Sequence, residues 1–262
     1  MSGALYFPWN VPTMESSNVS LLLNGIPYSL SVMIILLSHE FGHYFAAKKF
    51  FVRATLPFCI PFPTLFGTAG AVIKVQSPIP DKKALFYIGI MGPFAGFVMT
   101  VIALAVGVYM SQVILMQPTS QGPLYLFGEP LIFKFFSYIF LGPIPEGWNI
   151  HLNPIAWAGW LGCLMTSLNL MPIGQLDGGH ILYSIIGNKQ RFFGWFSLVG
   201  ITILSLFFYG WLLWIAITFF VLKVGHPPIP DKQNISLRER ILGWCSMAIF
   251  IITFIPIPVE II

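Results

Sequence analysis

The sequence predicts an all-α polytopic membrane protein, with about six transmembrane helices and a small membrane-surface β-hairpin after the first motif helix. Three observations carry this expectation. The chain is 56% hydrophobic and 8% charged, with a mean hydropathy of +0.82, whereas soluble domains carry about a quarter charged residues. Apolar runs of about 20 residues, the length that spans hydrocarbon as a helix, recur between loops rich in proline and glycine. Lys and Arg fall in four clusters, at 48–53, 74–83, 189–191 and 223–240. A net charge of +4 is modest and reports orientation rather than nucleic-acid binding. Cys59, Cys163 and Cys245 are far apart and form no Cys-x-x-Cys, which argues against a disulfide framework or a thiolate zinc site.

The elements follow in order. The opening MSGALYFPWN lacks a basic region and a small-residue cleavage site, so no cleaved signal peptide is expected. Pro27 suits a first helical turn, and the first span is expected over 26–50, ending at Lys48, Lys49 and Arg53. Residues 54–83 are broken by proline and glycine and then alternate in GAVIKVQ, which suggests short strands or a hairpin at the membrane surface. A second span fits 84–116, with Gly92, Pro93 and Gly96 inside it for close packing. Residues 117–153 hold LIFKFFSYIFLG, too short to cross and read as interfacial or re-entrant. The third span runs from about 154 to 186 but is broken by NLMPIGQLDGGH. Residues 192–222 are one tilted helix or two short ones meeting near Gly210, and the last span fits 241–255. No separate soluble domain is visible, so 1–262 reads as a single integral-membrane domain. Placing all four basic clusters on the cytoplasmic side requires a hairpin at 192–222, and puts the active site near that face.

His39, Glu40 and His43 stand in HEFGH, a His-Glu-x-x-His sequence within an apolar span. Residues four apart share a helix face, so both imidazoles can bind one ion while Glu40 takes a proton from a bound water. A chance match, or histidines hydrogen-bonded within a bundle, is the plainer alternative, weakened by the cost of clustered ionisable groups in hydrocarbon. Catalytic zinc takes a third protein ligand. Of the nine acidic residues, only Glu40 and Asp177 lie in apolar spans, so elimination picks Asp177. His180 is a ligand, a second donor or a hydrogen-bonded helix-start residue; His151 and His226 are assigned no metal. Asn169 and Pro172 either offer freed backbone to an extended peptide or form a structural kink capped by Asn169. Gly92-Pro93 reads as packing.

The chain resembles the site-2 protease family of intramembrane zinc metalloproteases. HEFGH at 39–43 and NLMPIGQLDGG at 169–179 carry the resemblance, and GTAGAVI at 67–73 and GPFAG at 92–96 are similar to the family's intervening stretches. The resemblance implies a helical membrane core with one zinc ion per chain held by His39, His43 and Asp177, and Glu40 as the acid/base. It implies that Asn169 positions substrate or stabilises the transition state. It implies proteolysis of transmembrane segments of other proteins, in a lipid bilayer, most simply the cell membrane. No PDZ insertion stands between the two motifs. The alternative is a zinc or proton transporter using the same buried groups, although such proteins more often show repeated halves.

Overall fold

The computed structural model describes residues 5–6, 18–61, 68–115, 125–231 and 234–261. Most of the opening MSGALYFPWN, Gly67 of GTAGAVI and residues 117–124 of the interfacial region lie outside the described residues.

The fold is mainly helical. Helix α1 spans Asn18–Lys49 and α2 spans Lys82–Tyr109. Among the described residues, two segments, Gly25–Lys49 and Lys82–Tyr109, are long and apolar enough to cross a membrane. The start of α2 is set by Asp81, whose side chain accepts a hydrogen bond from the Ala84 amide at 2.8 Å. Between them, β2 (Phe58–Pro61) and β3 (Thr68–Val72) pair antiparallel, Phe58 opposite Val72. Phe58 and Ile60 in β2, and Thr68 and Val72 at the ends of β3, are residue types that favour strands.

Helix α2 ends at Tyr109, seven residues sooner than the span expected to run to 116. At Met110 the chain turns, and Gln112–Leu115 forms strand β4. The reason is tertiary: β4 is an edge strand of a five-stranded sheet absent from the all-α expectation. With β1 (Leu5–Tyr6), β5 (Tyr125–Phe127), β6 (Trp148–His151) and β7 (Val259–Ile261), the spatial order is β4-β6-β1-β5-β7. Every strand is short, and their pairings join segments from both ends of the chain. No local periodicity marks such strands. Helix α3, Leu131–Leu141, is the short apolar segment between β5 and β6.

The third expected span is two helices. Helix α4 runs Pro154–Leu170, with Pro154 in its first turn and the Asn153 side chain accepting from the Ile155 amide at 2.9 Å. Helix α5 runs Asp177–Ile186. The intervening segment is held from outside: the Gly174 amide donates to the Val224 carbonyl at 3.1 Å. Gly178 closes the junction, because a Cβ there would overlap the Leu170 carbonyl. Residues 192–222 form two helices, α6 (Gln190–Leu204) and α7 (Gly210–Ile217), the latter continuing as a π-helical turn over Thr218–Leu222. Helix α8, Leu237–Thr253, opens on a reciprocal cap between Ser236 and Glu239.

Helices α1, α2 and α4 form the centre. The α1–α2 contact is the most extensive, and α4 packs on both. The main core joins Leu36, Leu104, Val108, Ala156, Trp160 and Leu161. Trp160 donates to the Gly128 carbonyl at 2.7 Å, so its indole brings no orphaned donor into this core. At one end the basic clusters converge: Lys82 pairs with Asp231, and Lys83 lies 3.5 Å from Glu239. Lys49 stands over the Tyr87 ring and Lys82 over the Tyr183 ring.

Gly107 is where α2 touches the start of α4, and a Cβ there would overlap the Ala156 backbone. Gly107→Val is expected to wedge the helices apart and cost about 1–3 kcal/mol. Unfolding in mixed detergent micelles measures this, and an unshifted midpoint would contradict the packing.

Candidate metal centre

His39, Glu40 and His43 occupy the last third of α1 on the side turned to α2 and α4. Their exposures are 7%, 9% and 7%, so all three are buried. Asp177 is the first residue of α5. The broken segment after Leu170 lets that carboxylate reach back to α1. Its Oδ2 lies 3.3 Å from His39 Nε2 and 3.3 Å from His43 Nε2, and the two Nε2 atoms are 2.9 Å apart. Three donors on two elements therefore face one point.

The donor chemistry suits a single metal ion. His43 Nδ1 is 2.6 Å from the Ile88 carbonyl oxygen. A carbonyl only accepts, so Nδ1 carries the proton and Nε2 keeps its lone pair for the shared point. Two imidazole nitrogens and one carboxylate are the donor set of a three-ligand catalytic zinc site, and the three ligand atoms lie within 4.8 Å of one another.

Helix α2 supplies the wall. A Cβ on Gly92 would overlap the His43 ring, and one on Gly96 would sit 3.0 Å from His39 Cβ. Gly42 on α1 faces the Met91 carbonyl and Gly92 in the same way. Gly92 and Gly96 therefore seat the two imidazoles as well as packing the helices. Sequence reasoning assigned Gly92 to packing alone, and it missed the Ile88 carbonyl altogether. The four-residue spacing of Gly92 and Gly96, matching that of His39 and His43, was the available signal.

A cavity of about 520 Å³ opens on these groups, lined by His39, Glu40, His43, Asn169 and Asp177, and on one side by Gly70–Ile73 at β3. Asn169 Nδ2 stands 3.4 Å from His39 Nε2, at the edge of the cluster. Pro172 is not brought to the cavity. Its carbonyl accepts from Gln190 Nε2 at 2.9 Å, so the freed backbone there is already engaged within the chain.

His180 and His226 meet each other. His226 Nδ1 lies 2.6 Å from the Pro227 carbonyl, which makes it the donor. His226 Nε2 therefore accepts from His180 Nδ1 across 2.8 Å. The Tyr183 ring stacks on His226 at 4.4 Å. Burial holds the His226 imidazole below its ordinary pKa, against the opposing hydrogen bond to Pro227. Neither histidine joins the metal cluster among the described residues.

A His-Glu-x-x-His helix with a distant aspartate beside it, packed against a second helix long enough to cross a bilayer, is the arrangement of a metallopeptidase-type centre in a membrane protein fold. The chain belongs to peptidase family M50, the site-2 protease family, whose model matches residues 27–207. It is 29% identical over 256 residues to the probable chloroplastic zinc metalloprotease EGY2 of Arabidopsis thaliana, covering 89% of this chain and 44% of that protein. It is 31% identical over 244 residues to the probable chloroplastic zinc metalloprotease EGY1 of Oryza sativa subsp. japonica, covering 89% of this chain and 41% of that one. The chain thus spans less than half the length of these relatives. Neither the family match nor these relatives support the transporter alternative.

Gly92→Ala adds one methyl group against the His43 ring. Metal stoichiometry of the purified protein should fall, while helix content by circular dichroism stays close to wild type. Full metal occupancy in this variant would show that the ring is not seated by Gly92.

Proposed function

We propose that this chain is an intramembrane zinc metalloprotease that hydrolyses peptide bonds within or near transmembrane segments of other membrane proteins. The observation that carries this reading is the convergence of His39, His43 and Asp177 on one point, with Glu40 beside them, inside an otherwise apolar bundle. We assign metal ligation to the first three and acid/base chemistry to Glu40. When bound, zinc lowers the pKa of its water ligand towards neutrality and polarises a carbonyl.

The remaining work falls to the chain's own side chains. Glu40 takes the proton from the attacking water and returns it to the leaving amine. Asn169, half-buried at the edge of the cluster, offers an amide to the substrate carbonyl region. The Pro172 break keeps 171–176 out of helical conformation, and its role in substrate handling is indirect: it aims Asp177. A transmembrane helix hides its carbonyls in hydrogen bonds, so a substrate must be locally extended before attack. The cavity wall formed by Gly70–Ile73 suits such an extended segment, as strand addition does elsewhere.

The membrane placement belongs to the same reading. The chain is multi-pass, with the lipid bilayer around it and, as the simplest assignment, a cell membrane. The pairs that gather the basic clusters at one end support a cytoplasmic-side location for the centre, because α1 runs from His39 to Lys48 and Lys49 within three turns. The β2–β3 pair would lie at that membrane surface.

Two substitutions test the assignment with separate readouts. Glu40→Gln should retain zinc and lower cleavage of a membrane-embedded reporter by at least about 10²-fold; substantial cleavage would remove Glu40 from the chemistry. Asp177→Ala should lower zinc content as well as activity, and unchanged metal stoichiometry would remove Asp177 from the ligand set.

A further inference from the structure

A second cavity, of about 740 Å³, lies beside the metal cavity and shares Gln175 with it as a wall. It is bounded by Arg191 of α6 and by Lys223, Gly225 and His226 of the loop that follows the π-helical turn. No carboxylate among the described residues lines it. Arg191 and Lys223 form no ion pair among the described residues, although every lysine at the neighbouring α2 start finds an acid. Two unbalanced cations around one concavity raise a positive potential that a mobile anion can offset.

The pocket is built rather than incidental. Gln190 is buried, at 1% exposure, and clamps the loop from inside. Its Nε2 donates to the Pro172 carbonyl, and its Oε1 accepts from the His226 amide at 3.3 Å. The Arg191 stem passes Gly225, where a Cβ would be 3.6 Å from it. Lys223 stands at φ 55 and ψ 154. That region is close to one reserved for glycine, so the lysine is held there in a strained backbone conformation.

The surroundings select the kind of anion. Trp195 and Phe219 line the same cavity and meet edge to face at 6.4 Å between ring centroids. Beyond them α6 and the π-helical turn expose Phe192, Phe196 and Phe220 at 72%, 73% and 88%. A polar cationic cup rimmed by aromatics and continued by an exposed apolar face matches one amphiphile: a phosphate headgroup with acyl chains below it. We propose that the cavity between Arg191 and Lys223 is a binding site for the phosphate headgroup of an anionic phospholipid, whose chains run along α6 and the π-helical turn. A phosphodiester accepts from the guanidinium and the ammonium at once, and the aromatic rings sit at headgroup depth. This rests on the membrane placement above but not on the proteolytic reading.

The test uses the purified full chain in a non-ionic detergent, with binding of dihexanoyl phosphatidylglycerol followed by native mass spectrometry. Dihexanoyl phosphatidylcholine and inorganic phosphate are the comparison ligands. Wild type should bind the phosphatidylglycerol at least about tenfold more tightly than either. Lys223→Gly removes the charge and suits the backbone at that position, and Arg191→Gln keeps a polar side chain. Each should weaken phosphatidylglycerol binding about tenfold, the range expected for one charge-assisted hydrogen bond, with zinc stoichiometry unchanged. Equal binding of the two lipids would overturn the proposal. So would inorganic phosphate binding as tightly as the lipid, which indicates a free-anion site, or displacement of the lipid by an acidic peptide, which indicates a protein partner. Wild-type affinity in both variants would overturn it as well. Zinc content in the same samples reports the metal centre independently, so failure of the lipid site and failure of the protease reading are distinguishable.

Discussion

The cost of burying charge and hydrogen-bonding capacity in an apolar bundle governs this structure. An uncompensated carboxylate in a low-dielectric interior is expensive, and so is an imidazole without partners. Here Asp177 and two imidazoles compensate one another by converging on a single point, and His43 satisfies its remaining nitrogen on the Ile88 carbonyl. The architecture around them serves that convergence. Helix α1 carries two donors on one face, α2 presents glycine where the rings must lie, and α4 and α5 are separated so that one carboxylate can turn inward.

Close helix approach is the means by which this is achieved. Where water is excluded, apolar side chains gain little from meeting each other rather than lipid, so packing density and satisfied polar groups hold helices together. Gly42 brings the α1 and α2 backbones into contact beside the site, Gly92 lies against the His43 ring, and Gly107 joins α2 to the start of α4 farther along the bundle. Some of the contacts that bind α1, α2 and α4, at Gly96 and Gly162, also line the cavity. Stability and site geometry are therefore coupled through the same few residues, and the rings cannot be moved without opening the core.

The break between α4 and α5 shows a second kind of economy. A helix interrupted inside a bundle leaves backbone groups that must be satisfied. Gly174 is answered by Val224 and Pro172 by Gln190, both beyond α5 in the chain. The loop after the π-helical turn thus steadies the segment that aims Asp177. It also forms the cationic pocket, so the His39–His43–Asp177 cluster and the second cavity share one scaffold.

Much of this was legible in the sequence. Helical periodicity placed His39 and His43 on one face, and the scarcity of acids in apolar segments singled out Asp177, because burying a carboxylate without purpose is too costly to be common. Proline and glycine marked the break at 171–176 and the division near Gly210, since both act on the backbone locally. What only the tertiary structure decided depends on partners distant in sequence. The five-stranded sheet joins two- to four-residue strands from both ends of the chain, too short for any pattern to show. The end of α2 at Tyr109 follows from that sheet. The Ile88 carbonyl, the seat at Gly92, the Gln190 clamp and the pairing of His180 with His226 are each single contacts between separate elements. A sequence specifies which groups are present and how they repeat along one helix. The facing of one element on another is set by packing, and that is where the His39–His43 pair meets Asp177 and gains its walls.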